Sequence, residues 1–286
     1  MSSHTIRIDS SGKNFDARED ENLLEAALRQ GVMLPYSCKN GTCGSCKGRL
    51  LSGEIDYPFH PPLALEPEEQ DAGDILLCQA AARSDLVIEA RELEANRDIP
   101  VCRLPARVAE KTRLADNVMK IVLRLPKAQR LQFLAGQYVD ILLPGGKRRA
   151  FSIASAPARE GEIELHVRHV DGGDFTGWVF DDMKLKDILR LEGPLGTFFV
   201  RHDVKERPMI MMGGGTGFAP LKSMIEDLLA HGDTRPIHLF WGARTLPELY
   251  HEELIHRWVD EYTHIEYTPA LSEPGDERVQ DGFEGY

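Results

Sequence analysis

With 286 residues, 42% of them hydrophobic and 28% charged, the chain has the size of two or three domains and the composition of a globular protein in water. Its net charge of −12 leaves no surplus of Lys and Arg for binding phosphates, so nucleic acid is not an expected partner. No apolar run approaches the ~18 residues of a transmembrane helix, and the N-terminus lacks a secretory signal. We therefore expect a cytoplasmic protein that does not cross a membrane.

Residues 1–92 predict a first domain with both helix and strands. The stretch 19–31 has helical periodicity, with Asp20 or Asn22 as the cap and Gly31 as the end. This part of the chain is acidic, since residues 1–98 hold 10 Lys and Arg against 18 Asp and Glu. Such a surface can steer a basic protein partner, or it can simply be solvated. Alternation and turn residues place strands at residues 4–8, 14–18, 48–51, 75–79 and 86–90.

Four cysteines, called here the cluster cysteines, give this domain its chemistry. Cys38, Cys43 and Cys46 form a C-x4-C-x2-C loop, and Cys78 follows 32 residues after Cys46. This spacing matches the plant-type 2Fe–2S pattern, in which one loop supplies three thiolates and a distant residue supplies the fourth. Glycines in the loop permit the tight curl that two iron atoms require. The alternatives are a four-cysteine zinc site, because Cys43 and Cys46 form a C-x-x-C pair, and a set of unrelated buried thiols.

The middle of the chain predicts an antiparallel β-barrel. Residues 91–103 have the character of a linker, in which Cys102 is an incidental thiol. The barrel is expected over 103–203. His166 and His169 have the spacing of metal ligands, but we interpret them as residues on the face of a strand. Short alternating runs predict barrel strands at residues 106–114, 119–125, 137–143, 162–170 and 188–200.

Residues 207–286 predict an α/β domain built on a parallel sheet. A strand at 208–212, expected to be buried, runs into the glycine loop Gly213–Pro220 and a helix over 221–232. The order strand, glycine loop, helix, strand is typical of nucleotide-binding sheets, where a pyrophosphate contacts the start of the helix. The loop is not a strict G-x-G-x-x-G, so a tight packing turn is the alternative. Further elements are expected at residues 237–243 (strand), 249–262 (helix) and 264–269 (strand).

Taken together, these motifs resemble the NAD(P)H oxidoreductases of the ferredoxin–NADP reductase superfamily that carry an N-terminal plant-type 2Fe–2S domain. Members include reductase components of multicomponent oxygenases and the reductase that serves a deoxysugar dehydratase. The resemblance implies a β-grasp ferredoxin domain (α+β), an antiparallel β-barrel that binds FAD, and an α/β parallel-sheet domain that binds NADH or NADPH. It covers essentially the whole chain, and the order of the motifs is more specific than any one of them.

The resemblance also implies roles for individual residues. Arg149 would hold the FAD pyrophosphate, and Phe151, which stands where the family has Tyr, would stack near the isoalloxazine. Ser152, the expected catalytic residue, would bind close to flavin N5. The remaining cofactor-binding residues implied by the resemblance are Gly173 and Thr176 for FAD, and Gly213, Gly214, Gly215, Thr216, Gly217, Pro220 and Arg244 for the pyridine nucleotide.

The expected activity is electron transfer from NADH, through FAD and the 2Fe–2S cluster, to a partner oxygenase. A deoxysugar dehydratase is the alternative acceptor, and a redox carrier without enzymatic activity is the alternative from another class. In the family the nucleotide domain continues with further strand–helix units. We therefore expect this sequence to be incomplete at its C-terminus, with the residues that contact the nicotinamide unassigned.

Overall fold

A computed structural model describes residues 3–93, 99–129, 131–159, 161–201, 206–273 and 283–284. The chain divides into two compact units. Unit 1 comprises Met1–Pro100 with Gly196–Phe198, and unit 2 comprises Val101–Leu195 with Phe199–Tyr286. No described helix is both long enough and apolar enough to span a membrane.

Unit 1 is built on a mixed five-stranded sheet with one helix packed against it. The strand order is β2-β1-β7-β3-β5, with β1 antiparallel to β2 and parallel to β7. The helix begins where the sequence predicts, because the Asn22 side chain accepts a hydrogen bond from the Glu25 backbone N–H at 2.9 Å. The elements are β1 (Ser3–Ile8), β2 (Asn14–Arg18), α1 (Leu23–Arg29), β3 (Lys47–Ser52), β4 (Ile55–Asp56), α2 (Pro67–Asp71), β5 (Asp74–Leu76), β6 (Ala81–Ala82) and β7 (Leu86–Glu89).

The strand predicted over 75–79 is wrong at its end. Strand β5 stops at Leu76, and Cys78 lies in a turn. The backbone N–H groups of Gln79 and Ala80 donate to the Leu76 carbonyl at 2.9 and 3.0 Å, so they close a turn instead of extending the ladder. Cys78 is thereby part of a turn and not of the apolar strand that its neighbours suggest.

Unit 2 begins with a six-stranded antiparallel sheet in the order β11-β10-β13-β8-β9-β12. A bridge between Ile153, just after β11, and Leu165 in β12 joins the first strand to the last, so the sheet closes into the predicted barrel. Its interior is aliphatic, with Val139 and Leu191 fully buried. The elements are β8 (Cys102–Ala115), β9 (Val118–Arg124), β10 (Tyr138–Leu142), β11 (Arg148–Ser152), β12 (Glu162–Arg168), α3 (Asp174–Asp181) and β13 (Ile188–Leu195).

Two features of the barrel differ from expectation. The linker predicted over 91–103 ends before Cys102, because β8 begins there. Cys102 pairs with Gly193 and packs against the barrel core. Pairing with β13 overrides the polar composition there. Helix α3 was not predicted from the sequence, and it begins directly after Gly173. Residues 94–98 of the predicted linker lie outside the described residues.

The second part of unit 2 is a parallel sheet in the order β14-β15-β16-β17. The predicted parallel strand at 208–212 is confirmed, but its full burial is wrong. Met211 is 7% exposed, whereas Ile210 and Met212 are 73% and 72% exposed. Strand β14 lies at the edge of the described sheet, and its side chains alternate between a face packed on α4 and an open face. The elements are β14 (Met209–Gly214), α4 (Phe218–Ala230), β15 (Ile237–Ala243), α5 (Glu252–Glu261), β16 (Ile265–Leu271) and the unpredicted β17 (Phe283–Glu284).

Candidate cofactor sites

The cysteine loop of unit 1 has the curled backbone that a cluster loop requires. Gly41 has a φ of +82°, and a Cβ at this position would approach the Pro61 carbonyl oxygen to 2.9 Å. The loop also contacts the turn that carries the fourth cysteine, because Gln79 Nε2 donates to the Lys39 carbonyl at 2.9 Å and to Cys78 Sγ at 3.3 Å. The loop and the turn therefore bring the four cluster cysteines together, although Cys46 and Cys78 are 32 residues apart in the sequence.

The sulfur atoms lie in pairs and receive hydrogen bonds from the backbone. Burial alone raises the pKa of the Cys38 thiol, but hydrogen bonds from the Asn40 backbone N–H and the Cys43 thiol outweigh it and lower the pKa to about 7. A hydrogen bond from Cys46 lowers the pKa of Cys78 to about 6, against the opposing effect of burial. Thiolate is the form that binds iron, and N–H groups aimed at sulfur are the usual second sphere of such a cluster. Cys46 differs, because its hydrogen bond to Cys78 and its burial raise its pKa. The four sulfur ligands and the backbone donors around them fit a 2Fe–2S cluster.

The flavin-binding candidates lie on β11, and two adjacent arginines of this strand differ in their partners. Arg148 forms ion pairs with Asp140 and Glu192. Arg149 is exposed and donates only to the Arg148 carbonyl at 2.8 Å, and among the described residues no carboxylate pairs with it. A guanidinium without an internal partner fits the binding of an anion such as a pyrophosphate.

An aromatic groove adjoins this strand. The Phe151 ring lies 5.5 Å from that of Phe175, which in turn lies 6.0 Å from Trp178. Phe175 and Trp178 line a cavity of about 800 Å³, together with Lys147 and the apolar residues at the ends of β10 and β13. Ser152 is half-buried at the end of β11. Arg149, Phe151 and Ser152 are not among the residues that line this cavity, and Phe151 connects to it only through its ring contact with Phe175. The apolar walls and aromatic rings of the groove suit a planar ring system such as a flavin.

The loop before α3 is shaped by Thr176. Its hydroxyl donates to the carbonyl of Val170 or Gly173, both at 3.2 Å, and accepts from the Val170 N–H at 3.2 Å. A Cβ at Gly173 would lie 2.6 Å from that hydroxyl and 2.9 Å from the Val170 carbonyl oxygen. Only glycine therefore allows this turn, and the Thr176 hydroxyl is used inside the loop to hold its backbone in place.

The glycine loop at the end of β14 is held by buried aromatic side chains. Trp241 is fully buried, and its indole N–H donates to the Gly215 carbonyl at 2.9 Å. The Phe218 ring stacks on it at 4.3 Å, at the start of α4. Gly213 is required for close approach, since a Cβ there would lie 2.9 Å from Leu221 and 3.0 Å from the Gly217 carbonyl oxygen. The loop is therefore rigid before any ligand binds.

A cavity of about 410 Å³ opens at the carboxyl ends of β14, β15 and β16. Parallel sheets bind nucleotides at this edge. Of the predicted residues, Gly214, Gly215 and Arg244 line the cavity. Of the others predicted for the pyridine nucleotide, Gly213 lies in β14, Thr216 and Gly217 in the turn that follows, and Pro220 in the first turn of α4.

Arg168 is a charged lining residue of this cavity that the sequence did not predict. Arg168 ends β12 of the barrel, yet it lies beside Gly215 in the cavity wall. Glu248, also in the wall, accepts a hydrogen bond from Arg244 at 2.6 Å and faces Arg168 at 3.9 Å. Burial alone raises the pKa of Glu248, but the bond from Arg244 outweighs it and lowers the pKa, so this carboxylate is charged. Nothing in the sequence near Arg168 signals the contact, because 47 residues separate it from Gly215.

A cysteine loop that fits a 2Fe–2S cluster, an aromatic groove on a barrel and a glycine loop on a parallel sheet define a class of protein. It is the class of redox enzymes that connect a pyridine nucleotide to an iron–sulfur centre through a flavin. Comparison with known families agrees with this order. Residues 6–83 match the 2Fe-2S iron-sulfur cluster binding domain, 105–200 the oxidoreductase FAD-binding domain and 211–284 the oxidoreductase NAD-binding domain.

Relatives over nearly the whole chain make the assignment specific. The chain is 38% identical over 281 residues to the CDP-6-deoxy-L-threo-D-glycero-4-hexulose-3-dehydrase reductase of Yersinia pestis, covering 98% of this chain and 83% of that protein. It is 40% identical over 288 residues to the reductase component of phenol 2-monooxygenase from Pseudomonas sp. (strain CF600), covering 99% and 80%. The crystal structure of the Amycolatopsis cytochrome P450 reductase GcoB is similar, with a TM-score of 0.77 and 34% identity over 99% of this chain and 84% of that one.

The chain belongs to the family of NAD(P)H-dependent reductases with an N-terminal 2Fe–2S domain, an FAD-binding barrel and an NAD-binding domain. It is an oxidoreductase, and its cofactors are a 2Fe–2S cluster, FAD and a nicotinamide nucleotide. The expectations of fold class, enzyme class and cofactors are thereby confirmed.

Proposed function

We propose that this chain takes electrons from NADH and delivers them, one at a time, to the oxygenase component of a multicomponent system. Relatives named as reductases of a phenol monooxygenase, an aromatic O-demethylase and a terephthalate dioxygenase support this acceptor class. The observation that carries the proposal is the presence of all three cofactor-binding arrangements in a single chain. Bound flavin supplies the conversion between two-electron and one-electron transfer.

The residues divide the work as follows. Arg149 binds the flavin pyrophosphate, Phe151 supports the ring system and Ser152 donates to the flavin where hydride arrives. Backbone N–H groups of the loop that contains Gly173 and Thr176 donate to the second phosphate. The cluster cysteines ligate the 2Fe–2S cluster, and the glycine loop with Arg244 binds the pyridine nucleotide. The domains we propose are residues 1–92, 103–203 and 207–286.

NADH, rather than NADPH, suits the cavity at the glycine loop. Two cations line this cavity, Arg244 and Arg168, and both face Glu248, at 2.6 and 3.9 Å. Glu248 is 14% exposed and also accepts from Asn117 Nδ2 at 3.2 Å, so it is fixed in the wall as a negative charge. A fixed carboxylate accepts a hydrogen bond from a ribose hydroxyl and repels a phosphate.

The first experiment tests for an enzyme against a passive redox carrier. The full chain, loaded with FAD and cluster, is mixed anaerobically with NADH while flavin and cluster absorption are recorded. Rapid bleaching of both is expected, followed by cytochrome c reduction under turnover. A protein that holds both cofactors but does not bleach with NADH or NADPH is a carrier and contradicts the proposal.

The second experiment tests the acceptor. The reduced protein is mixed with a purified aromatic-ring oxygenase component, or with a CDP-hexulose dehydratase as the alternative suggested by the Yersinia relative. Product formation above a no-reductase control is expected with the oxygenase. Turnover only with the dehydratase would replace the oxygenase as the acceptor and leave the reductase activity intact. We also propose a cytoplasmic location, supported by cysteines whose spacing suits metal ligation and not a disulfide framework.

A further inference from the structure

Unit 2 contains a buried polar cluster that the cofactor sites do not use. It lies between β12 of the barrel and α4 of the nucleotide-binding sheet. Lys222, on α4, is only 6% exposed, and Ser223 is fully buried. Lysine is almost never this buried without a compensating partner. A buried ammonium needs polar partners that offset its desolvation, and the nearest is Glu226 on the same helix, with Oε1 at 2.7 Å from Nζ.

Both side chains from α4 bind backbone of the barrel. Lys222 Nζ donates to the Ala154 carbonyl at 3.3 Å, and Ser223 Oγ donates to the Ser155 carbonyl at 2.8 Å. These two carbonyls follow Ser152 by two and three residues. An extended chain rises about 3.3 Å per residue, so the contacts lie within about 10 Å of the flavin-binding strand end along the chain.

On the other side, the same two residues lie close to the glycine loop. Lys222 follows Gly217 by five residues. Because a helix rises 1.5 Å per residue, this is roughly 7.5 Å from the loop. The Lys222–Ser223 pair therefore lies a few residues along the chain from the glycine loop, and it hydrogen-bonds to backbone a few residues from the end of the flavin-binding strand. It links the two nucleotide-binding segments.

A buried carboxylate, Glu164, also belongs to this polar cluster. Glu164, on β12, is 4% exposed, and its Oε1 lies 3.3 Å from Lys222 Nζ and 2.9 Å from His166 Nε2. Glu164 also fixes the segment that Lys222 and Ser223 contact, since its backbone N–H donates to Ser155 Oγ at 3.1 Å and its carbonyl accepts from Ala154 N–H at 2.7 Å. The Ala154–Ser155 segment, whose carbonyls accept hydrogen bonds from α4, is thus also hydrogen-bonded to β12.

The protonation pattern of the cluster follows from its partners. Burial lowers the pKa of His166, so the ring is neutral. Its Nε2–H donates to the Glu164 carboxylate, which leaves Nδ1 to accept from the Tyr250 hydroxyl at 3.1 Å. Burial and the Glu164 charge raise the pKa of Tyr250, which keeps its proton. Tyr250 packs edge-on against Trp241 at 5.1 Å, and Trp241 holds the glycine loop.

A metal ion is the competing explanation for this cluster. Ligand atoms of Glu164, His166 and His251 lie within 4.8 Å of one another. However, Oε1 of Glu164 already faces the Lys222 ammonium, and Oε2 accepts from Arg159 at 3.3 Å. Two cationic side chains on one carboxylate disfavour a divalent ion beside it. His169, the other half of the sequence-spaced pair, lies beyond the end of β12 and faces Asp171 at 3.5 Å.

We propose that Lys222 and Ser223 are positioning residues, which fix the glycine loop against the flavin-binding strand at the separation that hydride transfer from NADH requires. The proposal rests on the proposed function. Neither residue lines the cavity at the glycine loop or the aromatic groove of the barrel. They act on the geometry of the bound pair, and a misplacement of about 1 Å can cost on the order of a hundredfold in rate.

The test is anaerobic stopped-flow reduction of the flavin in the full, cofactor-loaded chain, with NADH varied to separate the limiting rate from the dissociation constant. Lys222→Met keeps the side-chain length and removes the contacts, and Ser223→Ala removes one hydroxyl. We expect limiting rates about 10- to 100-fold lower for Lys222→Met and several-fold lower for Ser223→Ala, with dissociation constants within about threefold of wild type. Lys184→Met, an exposed lysine of the barrel, is the matched control.

The outcomes separate cleanly. Unchanged limiting rates in both variants would overturn the positioning role, and so would losses confined to NADH binding or flavin retention. Should Lys222→Met fail to fold, the Ser223→Ala rate decides the matter. A limiting rate that responds to added Zn²⁺ in wild type, but not in His251→Ala, would establish the metal explanation instead. Wild-type protein that NADH does not reduce contradicts the proposed function itself.

Discussion

Replacing Glu164 by Gln should remove an acid-dependent contribution to the stability of unit 2. Burial alone raises the pKa of this carboxyl, but the hydrogen bond from His166 and the charge of Lys222 outweigh it and hold the pKa at about 2, against an ordinary value of 4.5. A depressed pKa stabilises the folded state at pH values above 4.5, and this stabilisation is lost as the pH falls toward 2. Glu164 is 4% exposed, so solvent screening is small.

The magnitude follows from the shift. At about 1.4 kcal/mol per pKa unit, the ionised carboxylate contributes about 3 kcal/mol at neutral pH. By pH 3.5 the unfolded state has bound its proton and the folded state has not, which removes about 1 kcal/mol of that contribution. The free-energy difference between wild type and Glu164→Gln should therefore be about 1 kcal/mol smaller at pH 3.5 than at pH 6.

Urea unfolding at the two pH values measures this difference. The three tryptophans of the chain, at positions 178, 241 and 258, all lie in unit 2, so their fluorescence reports on that unit alone. Glu162→Gln removes a more exposed carboxylate from the same strand and serves as the control, which should keep the wild-type response. If wild type and Glu164→Gln differ by the same amount at both pH values, the assignment of a charged, cation-paired Glu164 is wrong.

Three further outcomes are expected. Serine at any one of the cluster cysteines should abolish or greatly disturb the EPR signal of the reduced cluster, whereas Cys102→Ser should not; stoichiometric zinc without iron in the purified protein would contradict the cluster assignment. Arg149→Ala should weaken FAD binding by about ten- to hundredfold in equilibrium dialysis, the loss of one charge-assisted phosphate contact, whereas Arg148→Ala should retain flavin. Glu248→Gln should raise the ratio of kcat/KM for NADPH to that for NADH by roughly tenfold, within the range of single pocket contacts, and an unchanged ratio would show that Glu248 does not set the preference.

Local sequence determined most of the architecture, because the signals for it are local. The cysteine spacing, the Asn22 cap and the strand–glycine–helix order each depend on residues within one short segment. Hydrophobic alternation likewise predicted the barrel, and a continuous apolar run before the glycine loop predicted the first parallel strand. The predicted strand bounds are wrong where strand pairing or hydrogen bonds in a turn set the end of the strand. Examples are the end of β5 at Leu76 and the start of β8 at Cys102. The burial of β14 was overestimated, because an apolar run does not reveal whether one face or two will be covered.

The tertiary structure alone decided which distant residues meet. Arg168 joins the nucleotide cavity, and Lys222 reaches the carbonyl of Ala154 across 68 residues. It also gives the physical reason why Arg149, which the family resemblance singled out, is left for a phosphate, since the fold brings Asp140 and Glu192 to Arg148. Charge pairing and burial depend on distances in space. For residues far apart in the sequence, those distances are set only when the sheets form.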